Sequence, residues 1–298
     1  MNPVEVHHIA KSFGDTHAVA DVSFVVHAGE IFGLLGPNGA GKTTTIRLIL
    51  DIFRPDSGEV SILGGGMTEA KKDRIGYMPE ERGLYQDITL ERCLLYLATL
   101  KGLPVAEARA RLDGYLERFD LELHRNKKVK ELSKGMQQKA QIINTVLHQP
   151  ELVIIDEPFT ALDPINTQLV KQLMRELRET GTTIIMSTHQ MHQVEELSDR
   201  ILLIDEGRDV LYGDLDQIRR EFSGDALLVR AIGALPPLPN VEVVSLSNGT
   251  TKLALGEGTS PQEILRALLA ADVSIEKFEI AVPTLDEIFI RVVEAGGE

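Results

Sequence analysis

Three scarcities bound this chain. A single cysteine, Cys93, rules out an intramolecular disulfide and leaves no set of thiolates to build a metal site. Positive charge is scarce as well: 31 Lys and Arg stand against 45 Asp and Glu, for a net charge of −14 and a pI near 5.1. That balance argues against unspecific adhesion to nucleic acid or to an anionic membrane surface, so no nucleic-acid partner is expected. Long apolar runs are missing too, and the opening "MNPVEVHHIA" has neither the basic nor the apolar stretch of a secretory signal. A cytoplasmic chain that does not enter a bilayer by itself is the expectation. No internal repeat or low-complexity tract interrupts it.

What is present is enough for a folded core: 298 residues, 43% of them hydrophobic, suit one large domain and a smaller one. The basic runs "HRNKK" and "AKKDR" read as solvated faces, and Cys93 in "LERCLLYLATL" reads as a small core residue. Residues 2 to 36 alternate apolar and polar positions, which predicts short strands pairing antiparallel, the last of them "EIFGLL". From 87 to 150 three helix-like stretches predict a helical subdomain. "LVIIDEP" and "TTIIMSTH" then read as buried parallel strands separated by a helix, and "RILLIDEGRDVLYGD" as a closing hairpin with a Glu-Gly turn.

Near residue 222 the composition shifts, and "GALPPLPN" breaks any regular element. A small α+β unit is predicted over 222–298, with a hairpin through Asn248-Gly249. Two of its helices carry start signals. One has Ser260 as cap, Pro261 at the first position and Glu263 three residues on; the other pairs Thr284 with Glu287.

The chemistry concentrates in a few short segments. "GPNGAGKT", Gly36 to Thr43, fits the phosphate-loop pattern G-x-x-x-x-G-K-[ST] between a predicted strand and a predicted helix. Glycines let backbone N–H groups converge on phosphates, Lys42 supplies a full positive charge, and the Thr43 hydroxyl can ligate Mg²⁺. "LVIIDEP" ends a strand in Asp156 and Glu157. Beside a phosphate loop, Asp156 would hold Mg²⁺ through water and Glu157 would polarise the attacking water. His189, at the end of "IIMSTH", is placed to meet a γ-phosphate at a strand's C-terminal edge. His192 reads as a polar surface residue.

Together these segments resemble the nucleotide-binding subunit of ATP-binding-cassette (ABC) transporters over roughly residues 2 to 220. The resemblance implies an α/β P-loop NTPase core with an antiparallel β subdomain and a helical subdomain, an ABC ATP-binding domain over 1–221, and the small α+β domain after it. It also explains a second anion-binding turn, "LSKGMQ". In that family two subunits pack head to tail, and the matching segment of one caps ATP held by the other, so Ser133 and Gly135 would face a partner's nucleotide. By the same resemblance Phe13 would stack on adenine, Glu80 would sit in the loop between core and helical subdomain and near the metal, and Asp163 would lie at the dimer interface. The loop Gly36, Pro37, Asn38, Gly39, Ala40, Gly41, Lys42, Thr43 and Thr44 would bind ATP, with Lys42, Glu157 and His189 in the catalytic roles.

Two departures from the family pattern stand out. Glu80 replaces the usual loop glutamine and cannot donate when ionised. Lys134 and Met136 replace Gly and Gln in the cap segment, with Gln137 as a partial substitute. Within the family, "IGYMPEERGLY", "ELSKGMQQKAQ" and the appended domain ending "PTLDEIFIRVV" resemble ATPases of sodium-exporter-type and ABC-2-type exporters. The resemblance implies ATP hydrolysis coupled to export, ATP and Mg²⁺ as cofactors, a second copy of the chain, and an integral membrane permease that holds the chain at the inner face of the cell membrane. A soluble ABC ATPase acting on ribosomes or DNA is the alternative reading.

Overall fold

A computed structural model describes residues 2–296 except 82, 224, 225, 234, 239, 248 and 257. The chain divides into two compact units, Met1–Asp214 and Leu215–Glu298. The first unit runs β1 (Val4–Phe13), β2 (Thr16–Val26), β3 (Ile31–Leu35), α1 (Lys42–Ile49), β4 (Ser57–Ile62), α2 (Glu69–Lys72), β5 (Ile75–Met78), α3 (Leu90–Leu100), α4 (Val105–Arg118), α5 (Lys134–Val146), β6 (Leu152–Asp156), α6 (Pro164–Glu179), β7 (Thr183–Thr188), α7 (Met191–Leu197), β8 (Arg200–Asp205) and β9 (Arg208–Asp214).

These strands form one sheet in the order β4-β1-β2-β9-β8-β3-β7-β6-β5. β1 pairs antiparallel with β2 and β4, which makes an antiparallel wing. The other end is parallel: β3 lies between β7 and β8, and β6 lies between β7 and β5. The antiparallel expectation therefore holds for β1 and β2 and fails for β3. Every residue of β3, β6 and β7 is buried, as a parallel strand covered on both faces requires. "EIFGLL" carries that continuous apolar signature rather than an alternating one.

β8 and β9 close as an antiparallel hairpin, and its turn residues Glu206 and Gly207 both have positive φ, 45° and 74°. Between β5 and β6 lie α3, α4 and α5, and each of the helices α3 and α5 starts on a side-chain cap, Thr89 for α3 and Ser133 for α5. Cys93 is fully buried in α3. No helix among the described residues is long and apolar enough to cross a membrane.

The second unit runs α8 (Leu215–Glu221), β10 (Ala226–Ile232), β11 (Val241–Ser247), β12 (Thr250–Leu255), α9 (Pro261–Ala270), β13 (Ser274–Ile280) and α10 (Leu285–Gly296). Its four strands form an antiparallel sheet in the order β11-β12-β10-β13. Leu227, Val229 and Leu253 from the sheet and Ile264 and Leu268 from α9 make its core. The expected hairpin is present as β11 and β12; of its two turn residues Asn248 lies outside the described residues, and Gly249 has φ 74°. Both helix starts form as expected: Ser260 and Glu263 exchange side-chain to backbone bonds, and so do Thr284 and Glu287.

Candidate nucleotide site

The parallel strands bring three C-terminal ends together at one edge of the sheet, where ligands gather in open α/β folds. β3 delivers the glycine loop there, β6 delivers Asp156 and Glu157, and β7 delivers His189. The loop is compressed against its neighbours. Gly36 and Gly41 have φ of 148° and 109°, and a Cβ on them would stand 2.1 Å from Ile204 O and 2.4 Å from Ala18 O. Only glycine fits either position.

α1 follows Gly41 with no side-chain cap, so its first turn keeps its N–H groups for an anion, while in the loop the Ala40 N–H donates to Pro37 O at 3.2 Å. Lys42 is nearly buried. Its Nζ donates to Gly36 O at 2.8 Å and Pro37 O at 3.0 Å, which accounts for two of three ammonium donors. Burial pushes its ammonium below the ordinary lysine range, while the carboxylates of Glu157, Asp156 and Glu80 pull it back up.

The acidic side of the site is built around hydroxyls. Thr43 Oγ1 donates to Asp156 Oδ2 at 2.8 Å, and the Ser187 hydroxyl donates to Asp156 Oδ1. Glu157 Oε1 accepts from the His189 N–H at 3.1 Å and lies 2.7 Å from His189 Nδ1; Oε2 accepts from Thr188 Oγ1 at 3.1 Å. Asp156 and Glu157 are 1% and 7% exposed, so these partners compensate carboxylates withdrawn from water.

A cavity of about 410 Å³ opens over this arrangement. Asn38, Gly39, Gly41, Lys42, Thr43 and Thr44 line one side, and Glu80, Asp156 and Glu157 line another. Thr16, His17 and Ala18 complete it. Oxygen donors from Thr43, Asp156 and Glu80 thus face one space, a donor set suited to Mg²⁺.

Other residues singled out by the sequence lie elsewhere. Phe13 is outside this lining, 46% exposed and packed edge to face on Phe53 with ring centroids 5.3 Å apart. Ser133 caps α5 by accepting from Met136 N at 3.2 Å. Gly135 lets α5 approach its own chain, since a Cβ there would stand 2.9 Å from Ala161 O. Asp163 caps α6 by accepting from Asn166 N at 2.9 Å, and its bonds to Asn166 hold its carboxyl below the usual range.

Gln137 is a correction. It does not stand in for the missing glutamine of the cap segment, because it is buried and its amide donates to Val129 O and Leu132 O, both at 3.0 Å. The residues the sequence did not reveal are Ser187, Thr188 and Gln138. The two hydroxyls of "MSTH" were visible as residues but not as partners of the acidic pair, because nothing local says that β6 and β7 are neighbours.

Comparison with known proteins bears on the whole chain. Residues 19–160 match the ABC transporter family model, and residues 213–293 match the DrrA1-3-like ATP-binding protein C-terminal domain. An uncharacterized ABC transporter ATP-binding protein, YhaQ of Bacillus subtilis, is 41% identical over 97% of this chain and 98% of its own length. This chain belongs to the ABC transporter ATP-binding proteins. Like the rest of that family, this ABC protein is an ATPase whose hydrolysis powers transport. A Nod factor export ATP-binding protein I from Burkholderia lata is 37% identical over 71% of this chain and 70% of its own. A solved structure of an ATP-binding subunit of an ABC transporter is 37% identical, with a TM-score of 0.69, and covers 74% of this ABC protein and 92% of that chain.

Proposed function

We propose that this chain is the ATP-hydrolysing subunit of an exporter: two copies close head to tail around two ATP and drive a separate integral membrane permease at the inner face of the membrane. The observation that carries the hydrolytic part is the buried Glu157 carboxylate, bonded to His189 and Thr188 beside the glycine loop. Export is supported by the likeness to the Nod factor export ATP-binding protein of Burkholderia lata.

In this reading the loop from Gly36 to Thr44 wraps the phosphates, and Lys42 offers its remaining donor to them. Thr43, Asp156 and Glu80 would hold Mg²⁺, which would supply positive charge to offset that of the bound phosphates. Glu157 orients the attacking water and receives its proton at a carboxylate oxygen, and His189 keeps that carboxylate turned inward. Phe13 contributes to the adenine side. Ser133 and Gly135 of one copy and Asp163 at the interface address the nucleotide of the other. A cavity of about 310 Å³ lined by Leu95, Tyr96, Thr99 and Val105 suits the permease, with Tyr85 packed edge to face on Tyr96 beside it.

The test uses tagged Glu157→Gln protein loaded with ATP and captured from detergent-solubilised cells. Turnover is expected to fall by roughly 10² to 10⁴ with ATP binding retained, and a polytopic membrane protein is expected in stoichiometric amount. Unchanged turnover sinks the role of Glu157. Recovery of ribosomal proteins or DNA with no membrane partner moves the ATPase to the soluble class.

A further inference from the structure

Glu157 sits in a backbone conformation that residues with a Cβ avoid, with φ 53°. Such a conformation persists only where the surroundings hold it from both sides. On one side the Glu157 N–H donates to Ser187 O at 3.0 Å, which ties it to β7. On the other side the hold comes from α5. Gln138 Nε2 donates to Glu157 O at 3.2 Å and to Pro158 O at 3.1 Å, and Thr160 N adds a longer bond to Glu157 O at 3.4 Å. The close approach of Gly135 to Ala161 O marks a second point along the same seam between α5 and residues 157–161.

We propose that Gln138 is a positioning residue for hydrolysis: by donating to the Glu157 and Pro158 carbonyls it sets the orientation of the Glu157 carboxylate and makes turnover depend on the placement of α5. This rests on the reading of Glu157 as the group that orients the attacking water. Gln138 reaches peptide carbonyls and is absent from the lining of the nucleotide cavity, so its loss acts on the chemical step and leaves nucleotide affinity in place. The consequence reaches further than one site. α5 is capped by Ser133, the residue assigned above to a partner's nucleotide, and between one and two turns later its Gln138 holds the backbone carbonyl of its own chain's Glu157. A shift of α5 on engaging the partner therefore arrives at Glu157 through this amide.

Gln138→Met removes the donor at nearly constant length, and Gln138→Leu removes it without adding charge; Gln138→Lys restores a donor. For the two donor-free variants kcat is expected to fall at least about tenfold with KM and the ATP dissociation constant within twofold, and Gln138→Lys is expected to recover part of the loss. In a Glu157→Gln background the Gln138→Met change is expected to alter the residual rate by less than twofold, because both substitutions act on one group. Wild-type kcat in both donor-free variants overturns the proposal, as does an equal loss in the Glu157→Gln background. A wild-type rate for Glu157→Gln alone overturns the catalytic reading instead, and the two failures are distinct.

Discussion

Lys42 is nearly buried and surrounded by three carboxylates, yet its bonds go to its own loop's carbonyls. In the proposed function those bonds hold the ammonium in place before any phosphate arrives and leave one donor for it. Lys42→Ala removes a charge-assisted contact in a desolvated site, where one such donor is worth roughly 3 kcal/mol, or on the order of 10² in kcat/KM. Steady-state ATPase assays alongside nucleotide titration check this; unchanged affinity and turnover together would remove Lys42 from the site. The two acidic residues also differ in what holds them. Asp156 is bonded by two hydroxyls and Glu157 by a hydroxyl and a histidine, so each carboxylate has its own set of partners.

At the scale of elements, α5 is joined to the sheet at both ends. Its first turns meet residues 157–161, and beyond its last turn His148 Nε2 donates to Ile75 O of β5 at 3.2 Å. Burial, reinforced by the Lys101 ammonium, pushes the His148 imidazole down to about 4, and its Nδ1 is buried without a partner among the described residues. In the unfolded chain this group takes its proton near pH 6.5, well before the folded chain accepts one. The neutral ring therefore favours the fold fully above pH 6.5, and the advantage is lost as pH falls from 6.5 through 4. The loss amounts to about 3 kcal/mol at most, at about 1.4 kcal/mol per pH unit. Urea midpoints between pH 7.5 and 4.5 are expected to fall more steeply for the wild type than for His148→Gln; parallel curves would show that His148 does not titrate this way. The elements legible in the sequence are those with their own local signal, such as the Glu206-Gly207 hairpin, the capped helix after Ser260 and the glycine loop. What was not legible depends on neighbours far along the chain: the parallel pairing of β3, the hydroxyl partners of Asp156 and Glu157, and the inward turn of Gln137. β10 and β13 belong with these, because "ALLVRAI" and "SIEKFEI" are paired by a sheet order that no local signal specifies.

For the molecule as a whole, the decisive fact is that among the described residues each unit has a core of its own. Phe32, Leu34, Ile154, Ile185 and Leu202 belong to one, and Leu227, Val229, Leu253, Ile264 and Leu268 to the other. Separate cores predict two thermal transitions, and the two can be moved independently. ATP at about 100 times its dissociation constant adds about 2.7 kcal/mol to whatever binds it, and the glycine loop, Asp156 and Glu157 all lie in the unit Met1–Asp214. In Glu157→Gln, where ATP is expected to persist, the transition of that unit is expected to rise by roughly 5 to 10 °C, at about 2 to 4 °C per kcal/mol for a unit of this size. Ser260→Ala instead breaks the reciprocal bonds with Glu263 that start α9, at a cost of about 1 kcal/mol. It is expected to lower only the transition of the unit Leu215–Glu298, which being smaller shifts by roughly 4 to 8 °C per kcal/mol. Calorimetry of both variants with and without ATP separates the outcomes. One transition moved by ATP and by Ser260→Ala alike would mean that the two cores melt as one cooperative body, and that whatever the C-terminal unit does for the ATPase is built into the stability of the nucleotide site itself.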